Sequence, residues 1–325
     1  MRLWYVIALG LLCQTAYAAQ QEFEYAIGDS QFKVLRGVSS ANVHVILDGK
    51  KDVIDSLEVF KTNAQADAEL ALRQEGITIT ADGMAGVPNI ILGTVVTEDP
   101  NGGFHYNTTM WFSDIAARVG DTDSVLYVST WEAPIGWGYC RDHDTDPIRK
   151  SLRKAMDAFC ADLRKARQLP LRSARLEVFG RKAVENELAG VTGVVDRITI
   201  KDFSGSHRMD FDLDAMRAQL RDCGLKTYQV GDETKGKPKV GIFSIGLAVA
   251  KAGSPLYTHY CTAKYEEPVQ LVRDRNIIAL GCLWRDTSVS GWVTDGRVES
   301  VVDNARDAVK HFMNAYLRAN PKKPY

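Results

Sequence analysis

The sequence predicts an α+β protein made of two repeated β-α-β-β-β-β-α domains, each a mixed, mostly antiparallel sheet with two helices on one face. Three observations carry this expectation. Leu35-Arg36-Gly37-Val38-Ser39 returns 153 positions later as Leu188-Ala189-Gly190-Val191-Thr192. Trp131 returns as Trp284 and Phe159 as Phe312 at the same offset of 153. Leu72-Arg73-Gln74-Glu75-Gly76-Ile77 matches Leu220-Arg221-Asp222-Cys223-Gly224-Leu225 at an offset of 148, so the copies differ by short loop insertions.

Each copy opens with its Leu-x-Gly-Val segment and a β-rich run, Val43 to Leu47 or Val194 to Ile200. A helix follows. In the first copy it is expected over about Asn63 to Glu75, with Ala66, Leu70 and Ala71 facing inward. In the second it is expected over Leu213 to Cys223, with Leu213, Met216 and Leu220 at helical spacing. Gly76 and Gly224 end these helices, because a residue without a Cβ adopts the left-handed cap at little cost. Short strands begin at once, Ile77-Thr78-Ile79 and Leu225-Lys226-Thr227.

Three more strands are expected at 88–97, 104–113 and 124–132, and again at 239–250, 256–266 and 276–285. Their short connections favour an antiparallel meander. Pro88 and Pro238 stand at matching strand entrances, where a missing N–H is tolerated. The alternation Phe104, Tyr106, Thr108, Met110, Phe112 marks one half-buried face. Long amphipathic helices close the copies: Ile148, Leu152, Met156, Phe159 and Leu163 form one stripe, Val301, Ala305, Val309, Phe312 and Tyr316 the other. Asp146-Pro147 gives the first of these a start signal, Asp as cap and Pro preset for the first turn.

The stretch Gln168 to Ser173 breaks the helical pattern, which divides the chain into a first repeat at 19–168 and a second at 169–325. Residues 1–18 read as a secretory signal peptide: Arg2, an apolar run from Trp4 to Cys13, then Ala16-Tyr17-Ala18. A retained amino-terminal anchor is the alternative. The expected location is therefore periplasmic or secreted. Removing those residues deletes only Arg2 among the charges, leaving 39 basic against 41 acidic residues. That balance gives no electrostatic case for nucleic acid. No later run of eighteen apolar residues suggests a transmembrane helix.

Five cysteines follow the signal, and none recurs in both copies. Cys261 and Cys282 lie on successive expected strands and are candidates for one disulfide; Cys140 and Cys160 are a second candidate pair, with Cys223 left over. No CxxC spacing supports a zinc or redox motif.

The Leu-x-Gly-Leu/Val start, the Leu72-Arg73…Gly76-Ile77 helix end, the aromatic strand, and the close through Phe312, Tyr316, Leu317 and Asn320-Pro321 resemble an uncharacterised family of secreted bacterial α/β domains, here in tandem. The likeness covers nearly all of residues 35–321 and rests on scaffold motifs. The element order is also similar, at the level of fold, to the TolB amino-terminal domain and to penicillin-binding-protein activator lipoproteins. Neither resemblance implies a catalytic residue, and fold alone does not fix function.

Few residues suggest chemistry. The loop Cys140-Arg141-Asp142-His143-Asp144-Thr145-Asp146 offers His143, Asp144 and Asp146 as weak metal candidates; the same residues also suit a polar approach to a helix. Trp137 and Trp292 each follow a glycine after the Trp131 and Trp284 strands, as an exposed aromatic pair or as lids over a core. His105 and His259 stand among aromatics on the expected long strands, suited to a ligand pocket or to cross-strand pairing. Nucleophile elbows and phosphate loops are missing from the sequence. The expectation is a non-catalytic envelope interaction or scaffold protein with a protein or envelope partner and no cofactor. The alternatives are a small-ligand binder using the cleft between the repeats, and a metal-dependent hydrolase using the Cys140–Asp146 loop.

Overall fold

The two Leu-x-Gly-Val segments fold into turns of one construction. A computed structural model describes residues 24–26, 28–49, 57–80, 86–99, 102–119, 121–133, 136–141, 144–170, 182–183, 187–202, 209–229, 240–253, 256–274 and 276–321. In it, Gly37 and Gly190 both have φ 73°. The amides of Val38 and Val191 donate to the carbonyls of Leu35 and Leu188 at 3.2 and 3.3 Å. A four-residue turn with positive φ at its third place selects glycine there. The segment expected to be a signal peptide lies outside the described residues.

In chain order, β1 (Glu24–Ala26) and a 3-10 segment precede β2 (Ser40–Asp48), α1 (Glu58–Gln74), β3 (Thr78–Ile79) and β4 (Asn89–Glu98). Next come β5 (Phe104–Arg118), β6 (Asp121–Glu132), β7 (Gly136–Cys140) and α2 (Asp146–Arg167). The second half runs through β8 (Lys182–Ala183), β9 (Gly193–Asp202), α3 (Leu213–Asp222), β10 (Lys226–Tyr228) and β11 (Val240–Gly253). It ends with β12 (Leu256–Leu271), β13 (Ile277–Thr294), a 3-10 segment and α4 (Val302–Ala319).

The architecture is α+β with one large mixed sheet. Its strand order is β10-β9-β11-β12-β13-β6-β5-β4-β2-β3. In the first half β2 runs parallel to β3 and β4, then β4, β5 and β6 alternate antiparallel. In the second half β9 runs parallel to β10 and β11, then β11, β12 and β13 alternate antiparallel. β7 continues along β5 where β6 leaves off, so β6 and β7 together occupy the place that the single long β13 takes beside β12.

The apolar spacing of the long helices places them as expected. Ile148, Leu152, Met156, Phe159 and Leu163 of α2 are all buried, as are Val301, Ala305, Val309, Phe312 and Tyr316 at α4. The Phe159 ring meets the Trp131 ring edge-on at 5.1 Å and Phe112 at 5.8 Å. Phe312 meets Trp284 edge-on at 5.1 Å and Tyr265 at 5.7 Å. Buried side chains of both halves belong to one contiguous cluster.

Helix α1 differs from expectation in phase. Phe60, Ala64, Ala68 and Leu72 are its buried residues, while Leu70 is 56% exposed. Four alanines spread around this helix leave its apolar face ambiguous in sequence; the bulky Phe60 and Leu72 settle it by filling core space. Gly76 and Gly224 do follow their helices with φ 70° and 95°. Asp146 is not the cap of α2: that position is Thr145, and the Asp144 carboxylate accepts the Asp146 amide at 3.0 Å.

The expected disulfides do not form: none of the five cysteines among the described residues is disulfide-bonded. Register is the reason for the first pair. Cys261 lies opposite Val289, and Cys282 lies opposite Glu266. Five residues of strand separate them along β12, ~17 Å at the rise of a β-strand, against the 4.4–6.8 Å between Cα atoms that a disulfide spans. Cys140 ends β7 with its thiol donating to the Phe104 carbonyl at 3.5 Å. Cys160 sits well down α2, ~21 Å of helix rise beyond its first residue.

The halves are interlaced. β1, ahead of the first half, pairs in parallel with β13, Glu24 facing Ile277. β8, ahead of the second, pairs in parallel with β6, Lys182 facing Ser124. β5 and β12 meet antiparallel through Ala116–Leu271, Ala117–Gln270 and Arg118–Val269. β6 meets β13 at Ser129–Cys282. The pairings β12–β13, β13–β6, β6–β5 and β5–β12 thus close into a ring of four strands at the centre.

Candidate functional site

The central ring is held by two arginines, Arg118 buried and Arg273 partly buried, each reaching into the other half. Arg118, at the end of β5, pairs with Glu267 and donates to the carbonyls of Glu187 and of Ala189, the latter at 2.9 Å. Arg273, just past β12, pairs with Asp114 at 2.6 Å and donates to the carbonyls of Arg36 and of Val34, the latter at 2.6 Å. Each half's arginine therefore closes the other half's Leu-x-Gly-Val turn. Both carboxylates are nearly fully buried, and guanidinium is the cation whose fork satisfies carboxylate and carbonyl together.

Beside this ring a groove of about 560 Å³ opens on the strands of both halves. Its floor is laid by Gly93 of β4. A Cβ there would come within 2.8 Å of the Thr109 hydroxyl and 3.0 Å of the Trp111 ring, so glycine lets the indole lie across the strand. Arg285 of β13 stacks over Trp111 with its guanidinium carbon 5.0 Å from the ring centre. Ile46, Tyr127, Leu283 and Trp284 supply further apolar wall, and Ser113 and Ser129 supply hydroxyls.

Arg285 belongs to a four-charge cluster. It pairs with Glu132, which lies 3.5 Å from Lys264, and Lys264 is 2.7 Å from Glu266. Burial raises the pKa of Glu266, with Lys264 offsetting part of the effect. Burial opposes the charge on Lys264 and Arg285, but Glu132 outweighs it with help from neighbouring groups, and both pKa values are raised. Both bases therefore stay charged. Burial also pushes the Cys282 thiol up to about 11, so this groove cysteine is not a thiolate nucleophile.

No family model matches this chain, and no curated protein matches it.

The residues singled out from sequence are scattered. Trp137 is 51% exposed and Tyr139 is 40% exposed; both lie on β7, a strand and not a loop. Trp292 is within β13 opposite Thr258, again strand, and its side chain lies outside the description. His105 is buried and hydrogen-bonds Asp99 at 2.8 Å, where it closes the β4–β5 hairpin, with the Tyr139 ring at 5.2 Å. His259 is buried with Nδ1 lacking a partner. Burial, with a smaller push from His105, drops its pKa to about 4. These two histidines lie within electrostatic reach of each other, away from the groove.

Asp142 and His143 lie outside the described residues. Asp144 and Asp146 are spent on the start of α2. Among the described residues no group of three His, Cys, Asp or Glu gathers to hold a metal. Sequence reading passed over Glu132, Lys264, Glu266, Arg285 and the two clamp arginines. A signal for two of them existed: Glu132 and Arg285 are 153 apart, as are Asp114 and Glu267. Searching equivalent positions for complementary charge would have found Glu132 and Arg285; Lys264, Glu266, Arg118 and Arg273 have no charged counterpart at that offset.

Proposed function

We propose that the chain is an exported, non-catalytic binding protein built of two repeats, 19–168 and 169–325, with a small-ligand site in the groove between them. The groove is the observation that carries the reading. Its volume of about 560 Å³ falls in the range of small-molecule sites, and its lining combines aromatic wall with a few fixed polar groups from both halves. The repeat reading draws support from the contacts between the halves: Ala117–Gln270 and Ser129–Cys282 are each 153 apart and lie against each other. Export to the periplasm or beyond rests on the amino-terminal sequence, and fractionation of the expressed protein tests it.

Thermal-shift screening of a metabolite panel tests the groove. A ligand that raises the melting temperature of the native chain should lose its effect when Ile46, half-exposed at the groove wall, is changed to Trp. The reading fails if no compound shifts the midpoint, or if the shift survives Ile46→Trp unchanged.

The second reading, a scaffold that docks a protein or envelope component, is favoured by the exposed Trp137 and Tyr139 on β7. Aromatic side chains of this kind are common anchors at interfaces. Capture of one envelope partner that is lost in Trp137→Ala/Tyr139→Ala would favour it over the groove.

A further inference from the structure

We infer that the ligand of this groove is an amphipathic carboxylic acid, its carboxylate held by Arg285 and its apolar body lying along Ile46, Tyr127, Leu283 and Trp284. The inference rests on the groove being a ligand site and adds the chemical class. Arg285 is the residue that selects it. Its guanidinium is fixed before any ligand arrives, stacked on Trp111 and tied to Glu132. A guanidinium has five N–H donors; among the described residues its hydrogen bond goes to Glu132, and the residue lines the groove. A fixed cation with spare donors binds a carboxylate without the entropy cost of ordering a free side chain.

The neighbouring groups agree with an anion. Ser129 Oγ is buried at the groove with no hydrogen-bond partner, and a hydroxyl can donate to a second carboxylate oxygen. The charged cluster holds two acids and two bases. Neither acid of the cluster lines the groove: Glu266 is held by Lys264 at 2.7 Å, and Glu132 is paired with Arg285. Asp48, the acid that does line the groove, is exposed and screened by solvent. The rest of the wall is apolar, which suits a ligand with one polar end. Trp111 itself is covered by Arg285 over strand β4, so the apolar body contacts the other walls.

The test compares acids with neutral partners of the same shape. Decanoate and 1-naphthylacetate are titrated against decanol and 1-naphthylacetamide, following tryptophan fluorescence and heat, with the native chain, Arg285→Lys, Ser129→Ala and Ile46→Trp. The acids should bind the native chain about tenfold or more tighter than the neutral compounds, as expected for a charge-assisted contact. Arg285→Lys keeps the charge opposite Glu132 but loses the planar fork, and should remove most of that preference; should this variant fail to fold, the acid-to-neutral ratio on the native chain and on Ser129→Ala decides. Equal binding of acid and neutral partner, both lost in Ile46→Trp, overturns the carboxylate and leaves the groove standing. No binding by any of the four, or binding that Ile46→Trp leaves intact, overturns the inference, and a metabolite panel without a hit then overturns the groove as well.

Discussion

Acidification should weaken the fold through His259, by an amount that follows from its burial. The ring sits in β12 opposite Val249 and Gly291 and is 8% exposed. Burial is the main cause that lowers its pKa from 6.5 to about 4, and the nearby His105 acts in the same direction. The folded protein therefore keeps this ring neutral in a range where the unfolded chain has protonated it. A depressed folded pKa contributes stability that is complete above pH 6.5 and is lost as pH falls toward 4. Integrating the proton difference from pH 8 down to pH 4.5 gives a loss of about 2.5 kcal/mol. Urea unfolding at the two pH values measures it. Other groups titrate in this interval, so the comparison is with His259→Leu, which cannot bind the proton but stays apolar. The difference between the native chain and the variant should shrink by the stated amount as pH falls. An identical pH response in both proteins, within about 0.5 kcal/mol as for independent sites, would refute the reasoning.

Arg118→Met and Arg273→Met should each cost about 3–5 kcal/mol, since each strands a buried carboxylate; adding Glu267→Leu to the first should restore part of the loss, and chemical denaturation with a change below 1 kcal/mol would count against the clamp. Gly281→Val should destabilise by about 1–3 kcal/mol through overpacking, because its Cβ would approach Val269 to 2.7 Å and Val128 to 3.1 Å; an unchanged thermal midpoint would argue against this packing. In unfolded, unreduced protein the five cysteines after Cys13 should all titrate as thiols, and in native protein at pH 8 Cys140 and Cys261 should resist a thiol reagent, burial having pushed them up to about 11 and 12.

Periodicity carried the elements further than it carried the site. The α2 and α4 stripes, the glycine stops at Gly76 and Gly224 and the meander of β4, β5 and β6 all follow from local rules of spacing and backbone conformation. Where side chains were small and uniform the reading slipped, as in α1, whose alanines do not point to one face. Disulfide pairing slipped because it depends on register, and strand sequence alone does not say that Cys261 faces Val289. The groove was out of reach for a different reason. Trp111, Glu132, Lys264 and Arg285 come from four strands spread over the chain, and their meeting depends on how the halves cross, which no local pattern encodes. The crossing of β1 and β8 into opposite halves was equally hidden, since two or three residues of strand leave no periodic trace.

Contacts between positions 153 apart bear on how the proposed repeats came to share one chain. In a symmetric dimer of identical subunits, a residue near the two-fold axis meets its own copy. Two glutamates at the place of Glu132 and Arg285 would repel, and two valines at the place of Val128 and Gly281 would compete for one space. In a single chain the two positions are free to differ. Here one is acid and the other base, and Gly281 makes room where a Cβ would press on Val128. The groove shows the same asymmetry: Trp111, which forms its wall, stands 153 positions before Lys264, which binds Glu132 instead. The clamp is close to symmetric: Asp114 and Glu267 are 153 apart, as are the carbonyls that the arginines reach, while Arg118 and Arg273 themselves are 155 apart. The proposed ligand site lies where the two halves differ, so substitutions in the clamp should unfold the protein while those at Arg285 and Ile46 should change what it binds.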